Sequence, residues 1–133
     1  MKYNSVILAD RHQDMLEGIR GLLEVMFETV VMVADKASLF DTAEKIKPDL
    51  AVVDLSLPVS SEINIARQLK DKYPELKTII LSVHDEKTVV SEIMATGVSG
   101  FVLKRSAASD LIPAVEEVIG GKTFVSPSLE YEF

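Results

Sequence analysis

At 133 residues, with 47% hydrophobic and 26% charged side chains, the chain suffices for one domain that buries roughly two thirds of the surface its unfolded state exposes, and is too short for two. A net charge of −7 speaks against gripping nucleic acid by a basic face, and the absence of cysteine excludes thiolate catalysis, disulfides and cysteine metal sites. No apolar run approaches the roughly 20 residues that cross a bilayer, and "MKYNSVILAD" lacks the long apolar core and small-residue cleavage site of a secretion signal, so a cytoplasmic protein is expected.

The first element, "SVILA", is an apolar run without alternation that stops abruptly at Asp10, Arg11 and His12. Unbroken Val, Ile and Leu point to a strand buried on both faces. Met15, Ile19, Leu22, Leu23 and Met26 follow at helical spacing. The second strand, "TVVMVA", ends at Asp35, where "DKAS" reads as a turn and helix cap; Leu39, Ala43 and Ile46 then form a helical stripe that Pro48 interrupts. The third, "DLAVV", stops at Asp54, with Ile65 and Leu69 marking its helix and Pro74 ending it. "TIIL" stops at Ser82, and the helix after it carries Val89, Val90 and Ile93 with Gly97 at its cap. "GFVL" stops at Lys104, and Leu111, Ile112, Val115, Val118 and Ile119 line a last helix closed by Gly120-Gly121. The tail "KTFVSPSLEYEF" carries a Ser-Pro-Ser turn signal and either begins a linker or docks on the domain.

Five strand-helix pairs favour a parallel sheet covered by helices on both faces, in the doubly wound class. In such sheets ligands bind outside the carboxyl ends of the strands where the connection reverses, which in a 2-1-3-4-5 order lies between strands one and three. Asp10 and Asp54 are then neighbours, with Ser82 and Lys104 in reach of the same crevice. Two carboxylates suit a hard cation such as Mg²⁺, a lysine and a hydroxyl suit phosphoryl oxygens, and one carboxylate can attack phosphorus to form an acyl phosphate. Either aspartate alone reads as a helix cap; it is the set of four that makes a site.

The segments "VILADRH", "AVVDLSLP", "IILSVHD" and "GVSGFVLKRSA", four motifs in order over about residues 3 to 120, resemble those of response-regulator receiver domains of two-component signalling. The spellings "LSVHD", "GFVLK" and "VIGGKTFVSPSL" are most similar to the NarL/FixJ (LuxR-type) branch. The resemblance implies a flavodoxin-like doubly wound (βα)5 parallel sheet of order 2-1-3-4-5. A receiver domain would occupy residues 1–120, and residues 121–133 would start a linker to a helix-turn-helix output domain outside this chain. It makes Asp54 the phosphoacceptor for a sensor histidine kinase, Lys104 its ion partner, Ser82 the hydroxyl that follows the phosphoryl group and Phe101 the aromatic switch residue. Asp10, Asp54 and the backbone carbonyl of Ser56 match Mg²⁺ ligands, and Pro58 matches the proline of the following loop. Implied chemistry is limited to self-phosphotransfer and slow self-dephosphorylation. Implied partners are the kinase, a second copy on activation, DNA only through the output domain, and no membrane.

Departures from the family pattern are equally specific. Arg11 stands where the family has a second acid, so that Asp10, Arg11, Asp54 and Lys104 sum to zero charge, which weakens Mg²⁺ binding. Arg11 either pairs with Asp10 or Asp54 or turns outward, and Asp14 offers a substitute carboxylate. Val59 and Glu62 replace small or glycine residues, changing the mobility and charge of the loop after Asp54. The alternative reading is a degenerate receiver that works as a phosphorylation-independent interaction module. Flavin carriers and aspartyl phosphatases fit worse, since "DRHQD" lacks a hydroxyl-rich phosphate cradle and "DLSLP" lacks a second acid two residues after Asp54. His12 and His84 read as surface or loop residues, although His84, two positions beyond Ser82, is placed to influence water near an acyl phosphate.

Overall fold

Alternate residues of the apolar runs turn to opposite faces of one sheet, and each face meets its own layer of helices. Val6, Leu8, Val52, Leu81 and Val102 pack with Leu23, Leu111, Val115 and Val118 on one side; Ile7, Ala9, Val53, Ile80 and Phe101 pack with Leu39, Ala43, Ile65, Leu69 and Ile93 on the other. Continuous hydrophobicity is the consequence of being covered twice. The computed structural model describes residues 2–11 and 17–129.

Among these residues the order is β1 (Tyr3–Asp10), α1 (Glu17–Met26), β2 (Phe27–Val33), α2 (Lys36–Ile46), β3 (Leu50–Asp54), α3 (Val59–Lys72), β4 (Lys77–Ser82), α4 (Lys87–Ala95), β5 (Gly100–Leu103), α5 (Ala107–Ile119) and β6 (Phe124–Val125). The strands form one sheet in the order β2-β1-β3-β4-β5-β6, with every neighbouring pair parallel. This is the expected doubly wound, flavodoxin-like arrangement with one strand more than the periodicity predicts. The addition comes from the tail: Phe124 donates its N–H to the Ser99 carbonyl, Ser126 donates to Phe101, and the buried Ser126 Oγ accepts from the Leu103 N–H at 3.0 Å. A two-residue strand leaves no period to read, yet it covers the open edge of β5.

Helix boundaries follow local chemistry. Asp35 caps α2, its carboxylate accepting the Ser38 N–H at 2.7 Å, and this bond holds its pKa below the ordinary carboxylate value. β2 begins at the buried Phe27, directly after α1 and two residues earlier than the run "TVVMVA" indicates. Ile46, expected on the apolar stripe of α2, is 40% exposed in that helix's last turn. Met15, expected at the start of the first helix, lies outside the described residues. No helix among the described residues is long and apolar enough to cross a membrane.

Candidate functional site

Three carboxyl-terminal strand ends and the residue just beyond β5 carry the polar groups. Asp10 and Asp54 are direct register partners on β1 and β3, and both are buried, 0% and 2% exposed. Ser82 is the last residue of β4, buried, and sits opposite Leu103 in the ladder. Lys104 follows β5 and reaches back so that its Nζ lies 3.0 Å from Asp54 Oδ2. That approach is an ion pair without hydrogen-bond alignment, so Asp54 Oδ2 has no partner of hydrogen-bond geometry. The lysine remains 30% exposed, so its charge enters the crevice from the solvent side. The fold therefore brings together the four residues that the strand ends single out.

The loop after β3 is held in an unusual shape. Ser56 adopts a left-handed conformation with φ of 53°, which costs a residue with a side chain about 1–2 kcal/mol. Pro58 then precedes the first residue of α3, a position where a proline's missing N–H costs no helical bond. Phe101, in the middle of β5, is fully buried. Arg11, directly after β1, is exposed. Asp14 and His12 lie outside the described residues.

One member of the site is not legible as such in the sequence. Glu62, in the first turn of α3, turns inward, and its side chain is only 10% exposed. Burial raises its pKa above the ordinary value, the charge of Asp54 adds to the rise, and a hydrogen bond from Ser82 and the nearby His84 ring work against it. Glu62 Oε2 is 3.7 Å from His84 Nε2, while Oε1 has no hydrogen-bond partner; the residue also lines a cavity of about 10 Å³, room for at most one water. His84 is likewise tied in. Its backbone N–H donates to Ser82 Oγ at 3.0 Å, and its Nε2 lies 3.2 Å from the Leu57 carbonyl oxygen. A carbonyl only accepts, so Nε2 carries the proton. The faint signal in the sequence was Glu62 standing at a glycine-type position.

Asp10, Asp54 and the Ser56 carbonyl offer hard oxygen donors of the kind Mg²⁺ takes, the two carboxylates being buried neighbours in direct register. The donor set fits. It is a small one: among the described residues no three acidic or histidine side chains are grouped to hold a metal.

A parallel sheet with two aspartates at its switch point, a hydroxyl on the next strand and a lysine paired to the central acid is the arrangement of a receiver-type fold. The chain belongs to the response regulator receiver domain family, whose model matches residues 6–116. It is 32% identical over 128 residues to the transcriptional regulatory protein DegU of Brevibacillus brevis, an alignment covering 95% of this chain and 54% of DegU. The chain thus spans about half the length of the curated relatives it matches. Among solved structures, the isolated receiver domain of RcsB from Salmonella enterica serovar Typhimurium with the phosphomimetic BeF3⁻ superposes with a TM-score of 0.83 at 28% identity, over 97% of this chain and 96% of that one. A two-component response regulator of the LuxR family from an Aurantimonas species gives 0.85 at 25% identity, over 97% and 93%. These relatives place the chain in the LuxR-type branch that its motifs resemble. They lend no support to a receiver that works without phosphorylation.

Proposed function

We propose that the chain accepts a phosphoryl group on Asp54 from a sensor histidine kinase and passes the change to a transcriptional output carried by the rest of the protein. The observation that supports this best is the pairing of the buried Asp54 with Lys104 at 3.0 Å, beside the register neighbour Asp10.

In this reading an Asp54 carboxylate oxygen attacks phosphorus, the bond from phosphorus to the donor's imidazole nitrogen breaks, and an acyl phosphate forms on the aspartate. Lys104, positioned from the open side, pairs with the phosphoryl oxygens and holds the group against Asp54. Ser82 donates its hydroxyl proton to another phosphoryl oxygen. A Mg²⁺ held by Asp10, Asp54 and the Ser56 carbonyl would neutralise the negative charge gathered there. Water attack on phosphorus, with the Asp54 carboxylate leaving, returns the protein to its starting state. Inward movement of Ser82 lets Phe101 repack and changes the face formed by α4, β5 and α5, where a second copy of the chain docks. DNA contact belongs to an output domain joined through residues 121–133.

Incubation with acetyl phosphate and Mg²⁺, followed by intact-mass measurement, tests the proposal. One added phosphoryl group per chain is expected, lost on mild base treatment. An unchanged mass with both acetyl phosphate and a phosphorylated histidine kinase would overturn it.

A further inference from the structure

The phosphoryl chemistry leaves Glu62 unused, although an acid with a side chain nine-tenths buried and one unpartnered oxygen is costly to keep. Its surroundings suggest a task. Ser82 has a single hydroxyl proton; its oxygen already accepts from the His84 N–H, and the buried Glu62 carboxyl stands beside it as a neighbouring acceptor, its Oε2 3.7 Å from Nε2 of the same His84. A phosphoryl group on Asp54 would need that same proton. The Glu62 carboxyl is itself an anion analogue, buried beside the end of β4 with one oxygen toward the His84 imidazole and the other without a hydrogen-bond partner. His84 adds a mechanical tie, joining the loop after β4 to the Leu57 carbonyl in the loop after β3 and to Glu62 at the start of α3.

We propose that Glu62 is a built-in competitor for the Ser82 hydroxyl: in the unphosphorylated protein its carboxyl engages the donor that a phosphoryl group on Asp54 requires, and phosphoryl capture must displace it. Glu62 is thus a positioning residue that acts through Ser82 and His84 and sets how readily the switch is thrown. The inference rests on the reading of Asp54 as acceptor and Ser82 as the phosphoryl group's hydroxyl partner. Two effects act in the same direction: competition for one proton, and repulsion between the Glu62 carboxylate and the roughly two negative charges of an incoming phosphoryl group.

The test is a beryllofluoride titration in Mg²⁺, followed by NMR of backbone amides and of the His84 ring, on wild type, Glu62→Ala and Glu62→Gln. Alanine removes acceptor and charge, so Glu62→Ala binds beryllofluoride roughly tenfold more tightly than wild type, the size of one relieved like-charge contact. Glutamine keeps an acceptor without charge and falls between, and as a near-isostere it decides the matter if the alanine variant unfolds. The His84 ring resonances move on beryllofluoride addition in wild type, as Glu62 withdraws, and stay nearly still in Glu62→Ala. That signature would not follow from a merely structural role. If wild type binds but neither variant binds more tightly, the inference is overturned. If wild type shows no amide shifts at saturating beryllofluoride, the reading of the Asp54 site fails first, and the inference with it.

Discussion

Asp10 and Asp54 stand side by side on parallel strands, in direct register and both buried, with the ammonium of Lys104 3.0 Å from the second of them. Two carboxylates on neighbouring strands repel by on the order of 1 to 4 kcal/mol in partly solvated surroundings, so the lysine is a compensating charge as well as the proposed phosphoryl ligand.

Removing that compensation exposes the cost. Lys104→Ala should lower stability by about 1–3 kcal/mol, less than for a fully buried pair because the lysine stem is partly solvated. In an Asp54→Asn background the same change should cost little. A double-mutant cycle by urea denaturation measures the difference; equal losses in both backgrounds would mean that Lys104 stabilises by packing alone.

Glu62 makes stability depend on pH in a defined direction. Its pKa in the folded protein is raised above the ordinary 4.5, so the folded state holds this proton more tightly than the unfolded chain does. The associated stability is complete below pH 4.5 and is lost as pH rises through the folded-state value. Glu62→Gln, which never ionises, should melt a few degrees above wild type near neutral pH, and the gap should close at about pH 4. A gap that widens on acidification would reverse the sign and refute the assignment.

The legibility of the fold and site divides along physical lines. Unbroken apolar strands, caps such as Asp35 and a polar residue at each strand end are local signals, and parallel topology converts four strand ends into one crevice. Asp10, Asp54, Ser82 and Lys104 were therefore readable. Glu62 was not, because the direction in which a first-turn side chain points depends on the path of the preceding loop, here bent through the left-handed Ser56. The same holds for His84, whose ring finds Leu57 and Glu62 only after two loops converge. β6 escaped for a different reason: two residues cannot show a period, and its pairing is decided by the exposed edge of β5.

Arg11 places a fixed positive charge beside the proposed cation site. Although the side chain is exposed, Arg11→Asp should strengthen Mg²⁺ binding by roughly tenfold, by exchanging repulsion for attraction and supplying an oxygen donor. Isothermal calorimetry on both proteins checks this, and equal affinities would show that Arg11 acts only at the surface.

Phe101 is sealed in the core between β4 and β6, so its rearrangement must loosen its neighbours. Amide hydrogen exchange with and without beryllofluoride should change in β5, at the Ser126 N–H that bonds the Phe101 carbonyl, and along α4. Changes confined to the loop after Asp54 would contradict coupling through Ser82 and Phe101.

If Asp54 alone accepts the phosphoryl group, as proposed, intact masses of wild type and Asp54→Asn after identical treatment with acetyl phosphate and Mg²⁺ must differ. Wild type should gain one phosphoryl group and the variant none, while both keep the same fold by amide spectrum. Equal labelling of the two proteins would contradict the account.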